Sequence, residues 1–504
     1  MEGELKAKVA KGTAWAFLEQ VVTQGLNFAL GVVLARLLTP EDYGTVALVT
    51  IFISVSMAIV NSGFGQALVQ KNDSDDLDFN SVFWVSLSVA GMLYAVLFAC
   101  APFIASYYGV AELKPILRVL SLNLVFFAIN SVQNAELIKQ MRFDLSFRIS
   151  MVTTGTSAVA GVSFAYAGFG AWALVWSSVL SSASAAVTRA FVISWRPRLA
   201  FSWARVAPLF RFGWKVMVSA LTYSLSSNIY GIVIGKCYSR HDLAFVNKGR
   251  NIPEMIQNNL NNALIGAAFP ALAQLQDERE RMREASRRLL IVSSFVILPL
   301  MAILCVMSEK MVLFLYGEQW LPCVPFACLC CLSAMFMPMR AVNEQAVFAI
   351  GRSDVTMKLI ILKNVLSLLI LVVFLPRGIL LWAGMVAFLL PPLCLALDLW
   401  ISRRLLGYSI RGQFRAILPS LALVGILVPP LQALNVLWTG RTPVSLFSCL
   451  ACQGILAVII VVGCSLAFRF RAACELAAIV EPRVLPHFPA LYPLFVRLRL
   501  EERG

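Results

Sequence analysis

The sequence predicts an all-α, polytopic membrane protein with about 14 transmembrane helices. Three observations predict this fold class: a strongly apolar composition, a series of apolar runs of bilayer length, and an uneven distribution of basic residues. Hydrophobic residues occupy 59% of the 504 positions and charged residues only 14%, whereas soluble domains average about 25% charged. The mean hydropathy is +0.79. Such a chain cannot cover itself with polar surface, so lipid must be its solvent.

Each predicted helix is a mostly apolar run long enough to cross the hydrocarbon core, which takes about 20 residues. The first run is too long for the apolar region of a cleaved signal peptide, and no small-residue cleavage site follows it. The eighth run is the most polar and is included because the topology of its neighbours requires it. The predicted spans are 13–35, 43–66, 80–107, 116–138, 149–167, 171–194, 214–235, 250–273, 289–307, 322–349, 359–375, 379–401, 416–438 and 443–468.

The basic residues predict the orientation of these spans. An even number of spans places both termini on one side, and 30 of the 42 Lys and Arg residues, Lys363 among them, then lie on that side against nine on the other. Because cytoplasmic loops retain Lys and Arg, both termini are expected in the cytoplasm. The same rule accounts for the net charge of +15, so no nucleic-acid partner is expected. The segment 236–250 is the exception, with four basic residues on the outer side.

The residues that metal sites and hydrolytic enzymes use are scarce or poorly placed. The chain has only two histidines, so a His-based metal site or a Ser-His-Asp triad has little material. The cluster of Cys328, Cys330 and Cys331 has no His or carboxylate within helical reach and is expected to pack as small apolar side chains. No catalytic residue, metal or cofactor is therefore expected.

An internal repeat relates two pairs of predicted helices. Gly31–Arg36 (GVVLAR) recurs as Gly231–Lys236 (GIVIGK), and Asp42 corresponds to Asp242 in the turn that follows. Spans one and two are thus predicted to be equivalent to spans seven and eight. Because each half then contains six helices, an even number, the two halves should share one orientation in the membrane.

The domain organisation follows from this repeat. We expect an N-terminal six-helix lobe at 1–195, a cytoplasmic amphipathic linker at 196–213 and a C-terminal six-helix lobe at 214–401. Two additional transmembrane helices at 402–468 and a cytoplasmic tail at 469–504 should complete the chain.

Several short motifs, taken in their order and spacing, resemble those of one family. They are VLARLLTPEDYG at Val33–Gly44, GFGAW at Gly168–Trp172, WRPR at Trp195–Arg198, NKGRNIP at Asn247–Pro253, FPAL at Phe269–Leu272, GEQWLP at Gly317–Pro322, and Gly351-Arg352. From about residue 5 to about residue 420, the chain resembles the polysaccharide exporters of the MOP superfamily. The resemblance is strongest to the colanic-acid-type lipopolysaccharide flippases.

This resemblance implies two six-helix lobes around a central cavity that work by alternating access. The implied cargo is a polyprenyl-diphosphate-linked oligosaccharide, flipped across the bacterial inner membrane for lipopolysaccharide or exopolysaccharide biosynthesis. Members of the superfamily often couple transport to a gradient of H⁺ or Na⁺. The expected protein partners are a polysaccharide polymerase or glycosyltransferases.

Polar stripes on three spans are candidates for the lining of this cavity. Each stripe keeps within an arc of about 60° to 100° of its helix. Amides at membrane depth must face protein or water, and they provide both the donors and the acceptors that sugar hydroxyls need. Hydrogen bonding between helices is the alternative. The stripes are Gln20, Gln24 and Asn27 on span one, Glu254, Gln257, Asn258 and Asn261 on span eight, and Asn123, Asn130, Gln133 and Asn134 on span four.

Charged residues within spans are candidates for binding the cargo diphosphate and a coupling ion. Arg340 is the deepest cation and arginine suits bidentate phosphate contacts, while Arg36 and Lys236 form a repeat-related pair at the outer mouth. Glu254 and Glu344 are candidates for ion coupling. Arg340 and Glu344 are four residues apart, and the alternative is that they neutralise each other on one helix face. Near the predicted helix ends, where snorkelling is expected, lie Glu19, Arg118, Glu136, Arg189 and Asp398.

Two other classes of function are compatible with a polytopic chain. A small-molecule efflux antiporter would have a similar two-lobe architecture, but the motifs are not those expected of one. A membrane glycan polymerase or glycosyltransferase would need a sizeable catalytic loop with clustered Asp, Arg or His. The segments between the predicted spans are short, basic and amphipathic.

Overall fold

The computed structural model describes residues 2–61, 63–71, 73–193 and 195–468. Within these residues the chain is α-helical and contains no β-strand. The predicted all-α fold class is confirmed. The predicted tail at 469–504 lies outside the described residues.

The helices follow one another with short connections, and two 3₁₀ turns occupy Glu318–Cys323 and Leu375–Arg377. In chain order the helices are α1 Glu2–Leu37, α2 Pro40–Asn61, α3 Phe64–Gln70, α4 Asp76–Tyr108, α5 Leu113–Leu120, α6 Leu122–Lys139, α7 Phe143–Tyr166, α8 Ala171–Val192, α9 Trp203–Cys237, α10 Arg240–Ala273, α11 Arg279–Leu315, α12 Val324–Ala334, α13 Met337–Ala349, α14 Ser353–Phe374, α15 Ile379–Phe388, α16 Leu390–Leu406, α17 Ile410–Leu437 and α18 Pro443–Phe468.

Eleven spans among the described residues are long and apolar enough to cross a bilayer, or twelve if one bent pair of helices counts as a span. The predicted number of about 14 is not confirmed. Helix α7 carries many Ser and Thr side chains and α10 many amides, so neither reaches the required hydropathy. The predicted run 322–349 is broken into α12 and α13, which meet at a bend of 43°.

The chain forms two compact units, the first ending at Ala244 and the second beginning at Phe245. The predicted division into two six-helix lobes, a linker and two extra helices stays a prediction. Residues 203–213 of the predicted linker form the first turns of α9. The WRPR segment packs on α4 of the first unit, where Trp195 lies between Phe79 and Phe83.

The repeat-related hairpins close with the same hydrogen bonds. The backbone N–H and hydroxyl of Thr39 donate to Asp42 Oδ2 over 2.9 and 2.7 Å. The equivalent groups of Ser239 donate to Asp242 Oδ2 over 3.1 and 2.6 Å. Thr39 and Ser239 are the N-cap residues of the second helices, and the N–H groups of Asp42 and Asp242 donate back to their hydroxyls over 3.3 and 3.1 Å, which completes a capping box in each turn. The turn chemistry of the repeat is therefore the same in both places.

The basic segment 236–250 is mostly helical rather than an outer loop. Helix α9 ends at Cys237 and α10 begins at Arg240, so only two residues connect them. Arg240 belongs to the first unit, where it forms ion pairs with Glu41 and Glu112, the second at 3.6 Å. Part of the basic charge that conflicted with the predicted orientation is therefore neutralised locally.

Candidate functional site

Four charged side chains meet inside the second unit, on α13, α14 and α16. Lys363 Nζ lies 2.7 Å from Asp398 Oδ1 and 3.5 Å from Glu344 Oε2. Arg340 Nε lies 3.8 Å from Asp398 Oδ2. We call Arg340, Glu344, Lys363 and Asp398 the charge network. Two cations and two carboxylates balance, which is the condition under which charges are retained away from water.

The members of the network differ in exposure. The Asp398 and Lys363 side chains are 1% and 9% exposed, whereas those of Glu344 and Arg340 are 30% and 33% exposed. The Arg340 distance of 3.8 Å exceeds that of a hydrogen bond. Among the described residues the Arg340 side chain has no hydrogen-bond partner for Nε. The network therefore has a buried ion pair, Lys363–Asp398, and a more accessible arginine that is loosely held beside it.

Three sequence-based assignments change here. Arg340 pairs with Asp398 rather than with Glu344, which pairs with Lys363. Lys363 had been counted on the cytoplasmic side, but it lies midway along the apolar span Asp354–Arg377. Asp398 is a buried ion-pair partner and not a snorkelling residue. Spacing along one helix shows only neighbours on that helix, and these partners come from three helices.

The polar residues of α10 lie on a helix of the second unit that also carries ion pairs. Glu254 accepts a hydrogen bond from Arg250 Nε over 2.6 Å. Gln257 and Asn261 are half-buried and Asn258 is exposed. Two residues before Arg250, Lys248 Nζ lies 4.3 Å from the centre of the Tyr316 ring, a cation–π contact. Glu254 is thus half of an (i, i+4) ion pair.

The candidate residues on α1 and α9 lie in the first unit. Gln20 and Asn27 are exposed and Gln24 is half-buried on α1, and Arg36 is exposed in the last turn of that helix. Lys236, in the last turn of α9, donates to the carbonyl oxygen of Tyr107 over 2.5 Å and lies over its ring. These contacts fix Lys236 to the end of α4.

The polar stripe on α6 divides between structure and cavity. Asn123 donates to the Ser178 hydroxyl over 2.8 Å, and Gln133 is buried. Asn130 and Asn134, two of the four residues, line a cavity of about 690 Å³ within the first unit. Arg189 of α8 lines the same cavity, although its position near a helix end had suggested snorkelling. Sequence periodicity identified these amides but not their arginine neighbour on another helix.

The architecture matches the folds of two solved membrane proteins. The fold matches the lipid II flippase MurJ in its inward closed conformation, with a TM-score of 0.65 and 11% identity over 91% of this chain and 98% of that one. It also matches an inward-facing multidrug resistance MATE family transporter of the MOP superfamily, with a TM-score of 0.59 and 16% identity over 78% of this chain and 94% of that one. The predicted MOP-type fold is confirmed.

The family is shown by the sequence itself. The family described as polysaccharide biosynthesis protein matches residues 33–325, more than half of the chain, and the chain belongs to that family. It is 28% identical to the succinoglycan biosynthesis transport protein ExoT of Rhizobium meliloti (strain 1021), over 64% of this chain and 66%, just under two thirds, of that relative. It is 24% identical to the lipopolysaccharide biosynthesis protein WzxC of Escherichia coli (strain K12), over 72% of this chain and 74% of that relative.

Proposed function

We propose that this protein translocates a polyprenyl-diphosphate-linked oligosaccharide across the bacterial inner membrane by alternating access, for lipopolysaccharide or exopolysaccharide biosynthesis. It moves the glycan and does not process it. The observation that carries this proposal is the charge network: an arginine held loosely beside a buried Lys–Asp pair, in a chain of the polysaccharide biosynthesis family. The similarity to a succinoglycan transport protein supports the same class of cargo.

The network suits an anionic cargo because its cations have anionic partners both without and with bound cargo. Without cargo, Arg340 and Lys363 are balanced by Asp398 and Glu344. When a diphosphate arrives, the accessible guanidinium of Arg340 can bind two of its oxygens while Lys363 keeps Asp398 neutralised. The carboxylate of Glu344 then needs a new cation.

That requirement links the network to ion coupling. In this proposal Glu344 takes up H⁺ or Na⁺ as the cargo binds, and Glu254, paired with Arg250, is the second candidate carboxylate. The half-buried and exposed amides of α1 and α10 offer donors and acceptors to sugar hydroxyls. Arg36 and Lys236 serve the outer mouth. Both termini are cytoplasmic, and a polysaccharide polymerase or glycosyltransferases act before or after translocation.

Loss of the protein in its own host tests the proposal. We expect a deletion strain to accumulate the lipid-linked oligosaccharide on the cytoplasmic face of the inner membrane, with glycan assembly intact. Expression of the wild-type chain should restore surface glycan. A deletion strain whose lipid-linked intermediates stop at a shorter glycan would contradict the proposal, because that result indicates a missing transferase or polymerase.

A further inference from the structure

The first unit contains a cavity of about 690 Å³, and its lining is chemically selective. This volume lies within the range of roughly 300–1,000 Å³ that is typical of ligand pockets. The polar groups that line it are the amides of Asn61, Gln70, Asn130 and Asn134, the hydroxyl of Ser131, and the guanidinium of Arg189. Arg189 is the charged member of this lining, and no carboxylate belongs to it.

Several of these polar groups lack partners within the protein. Arg189 Nε is buried without a hydrogen bond, and no ion pair joins Arg189 to the described residues. Asn130 donates its amide to the Ser182 carbonyl over 3.2 Å, but its Oδ1 is buried and unpaired. Buried polar groups are nearly always satisfied by protein, water or a ligand, so the unpaired groups that border this cavity are available to bind a molecule inside it.

The unpaired groups specify the chemistry of that ligand. A guanidinium that forms no ion pair with a carboxylate favours an anion, and phosphate oxygens match its forked donors. Amides with free donor and acceptor atoms match hydroxyl groups. One molecule that carries both is a sugar attached to a diphosphate.

Two structural explanations of Arg189 are weaker. As a basic residue in the last turn of α8, Arg189 complements the dipole of that helix, and it interacts electrostatically with Glu19 of α1. The Glu19 carboxylate accepts a hydrogen bond from the Ser150 hydroxyl over 2.5 Å, and among the described residues it forms no ion pair with Arg189. Neither explanation accounts for the cavity beside the guanidinium or for the unpaired Asn130 oxygen.

The position of the cavity along the helices indicates the side from which it is filled. Its lining includes the last residue of α2, the second half of α6 and the last turn of α8. The C-terminal ends of these helices face the cytoplasm in the orientation that the basic residues predict. Lipid-linked precursors arrive from that side in the proposed function.

We propose that this cavity is the cytoplasmic loading site for the head of the cargo. Arg189 binds the diphosphate, and Asn130 and Asn134 bind hydroxyls of the first sugar. The inference rests on the proposed function and adds to it the part of the first unit that selects cargo. Arg189 serves the loading step, and Arg340 of the charge network serves a later one.

Binding by the purified full-length protein in a neutral detergent tests this inference. The probe is geranylgeranyl diphosphate carrying one N-acetylglucosamine, titrated by calorimetry. We expect wild-type binding to weaken about tenfold or more in Arg189→Gln, because a charge-assisted hydrogen bond is lost. Asn134→Leu should weaken binding of this probe several-fold and leave binding of unglycosylated geranylgeranyl diphosphate unchanged. Because Asn134 makes no hydrogen bond to the described residues, this second variant is not expected to disturb folding.

The matched control is Arg118→Gln. Arg118 is a half-buried arginine of the same unit whose guanidinium lies 4.0 Å from the Phe98 ring and whose Nε donates to the Phe98 carbonyl, away from the cavity. It should bind the probe like wild type. Competition by phosphatidylglycerol in the same detergent tests whether the cavity binds a lipid headgroup instead of the glycan-linked diphosphate. If this lipid competes as well as the unlabelled probe does, the assignment to cargo is overturned.

Two further results separate this inference from the proposed function. If Arg189→Gln and Asn134→Leu both bind the probe with wild-type affinity, while the wild-type protein restores surface glycan in the deletion strain, the loading site alone is overturned. Failure of the wild-type chain to restore surface glycan overturns the proposed function, and the loading site with it. No binding of the probe by wild-type protein also overturns the loading site.

Discussion

Asp398 is the residue on which the charge network depends. It is almost fully buried and has two cationic neighbours, Lys363 at 2.7 Å and Arg340 at 3.8 Å. Removing one member of a buried ion pair costs about 3–5 kcal/mol, because it leaves an uncompensated charge. The shorter and more buried pair should carry most of that cost. We therefore expect Lys363 to matter for stability and Arg340 for transport.

This separation predicts opposite phenotypes for two alanine variants. Lys363→Ala should lose most of its folded protein, since Asp398 keeps only the distant Arg340. Arg340→Ala should accumulate close to wild-type amounts and lose export. Arg340→Lys keeps the positive charge without the two parallel donors of the guanidinium, and should lower export about tenfold. Immunoblots of membranes and surface glycan measure the two effects.

The double variant Lys363→Ala/Asp398→Ala is the control for the first effect. It removes both buried charges together and should recover the abundance that Lys363→Ala loses. If Arg340→Ala is as unstable as Lys363→Ala, the guanidinium is a structural partner of Asp398 and its transport role is wrong. Normal export by Arg340→Ala at normal abundance would also contradict that role.

A second prediction at this scale concerns Asp75, the N-cap of α4 and a residue outside the apolar spans. Its Oδ1 accepts from the Asp78 N–H over 2.9 Å, and its Oδ2 lies 3.1 Å from Arg205. The backbone hydrogen bond from Asp78, together with Arg205 and Lys71, lowers the pKa of the Asp75 carboxyl. A lowered folded-state pKa gives stability that is present above the unfolded pKa of about 3.9 and is lost as pH falls through the folded value.

We therefore expect Asp75→Asn to keep the helix cap and to remove this loss of stability at acid pH. Asp75→Ala, which removes the cap, should lower the free energy of unfolding by about 0.5–2 kcal/mol at neutral pH. Thermal unfolding in detergent between pH 3 and pH 7 measures both. An Asp75→Asn variant with the same acid profile as wild type would contradict the assignment of this pH dependence to Asp75.

At the scale of elements, helices α2 and α9 approach each other through glycine. Gly231 and Gly235 of α9 form the small-xxx-small pattern that permits close packing of membrane helices. A Cβ on Gly235 would lie 2.1 Å from Leu48 Cδ2, and one on Gly231 would lie 2.6 Å from Ile51 Cδ1. A Cβ on Gly44 would lie 1.9 Å from the Arg240 carbonyl oxygen.

These distances predict a ranking of alanine variants. Gly44→Ala should be the most destabilising because it meets backbone, which cannot change rotamer, and overpacking costs about 1–3 kcal/mol. Gly235→Ala should cost less, since a leucine side chain can shift. Gly31→Ala is the matched control: Gly31 is the repeat equivalent of Gly231, and a Cβ there meets nothing within 4 Å. Melting temperatures in detergent that do not separate Gly44→Ala from Gly31→Ala would contradict this packing.

The elements show what sequence patterns can and cannot predict. The apolar runs located most helices, and the repeat located two turns that share their capping hydrogen bonds. The 43° bend that divides 322–349 was missed, because a continuous apolar run has the same composition whether or not the helix breaks. Asp398 was misassigned because its partners come from different helices, a relationship that periodicity along one helix cannot contain. Lys363 was counted on the cytoplasmic side because it lies near the predicted start of span 359–375, whereas the observed span begins at Asp354.

At the scale of the whole molecule, the orientation of the helices is the next prediction. Reporter fusions after residues 72, 202, 282 and 408 should report the cytoplasm, and those after 110 and 440 the periplasm. The fusion after residue 282 is the most informative, because it follows α10, which does not reach the hydropathy of a membrane span. A periplasmic signal there would mean that α10 does not cross, and would reverse the orientation of all later helices.

The fold alone does not separate glycan export from drug efflux, since a multidrug resistance transporter shares it. The family and the polar chemistry do separate them. A match to polysaccharide biosynthesis proteins over residues 33–325 accompanies cations and amides suited to an anionic, hydroxylated cargo. The family was predictable from sequence because short motifs kept their order. The residues that meet in the charge network were not, because they depend on how the helices pack.

Translocation by the purified protein tests the central claim most directly. Proteoliposomes would carry a fluorescent polyprenyl-diphosphate oligosaccharide from the host in their inner leaflet. A membrane-impermeant quencher added outside would then report the fraction of this lipid that reaches the outer leaflet. We expect wild-type protein to move the lipid between leaflets without changing its mass, and Arg340→Ala, reconstituted in the same amount, to leave it in place. A lipid that stays in one leaflet with wild-type protein, or one that changes in mass, would contradict the account.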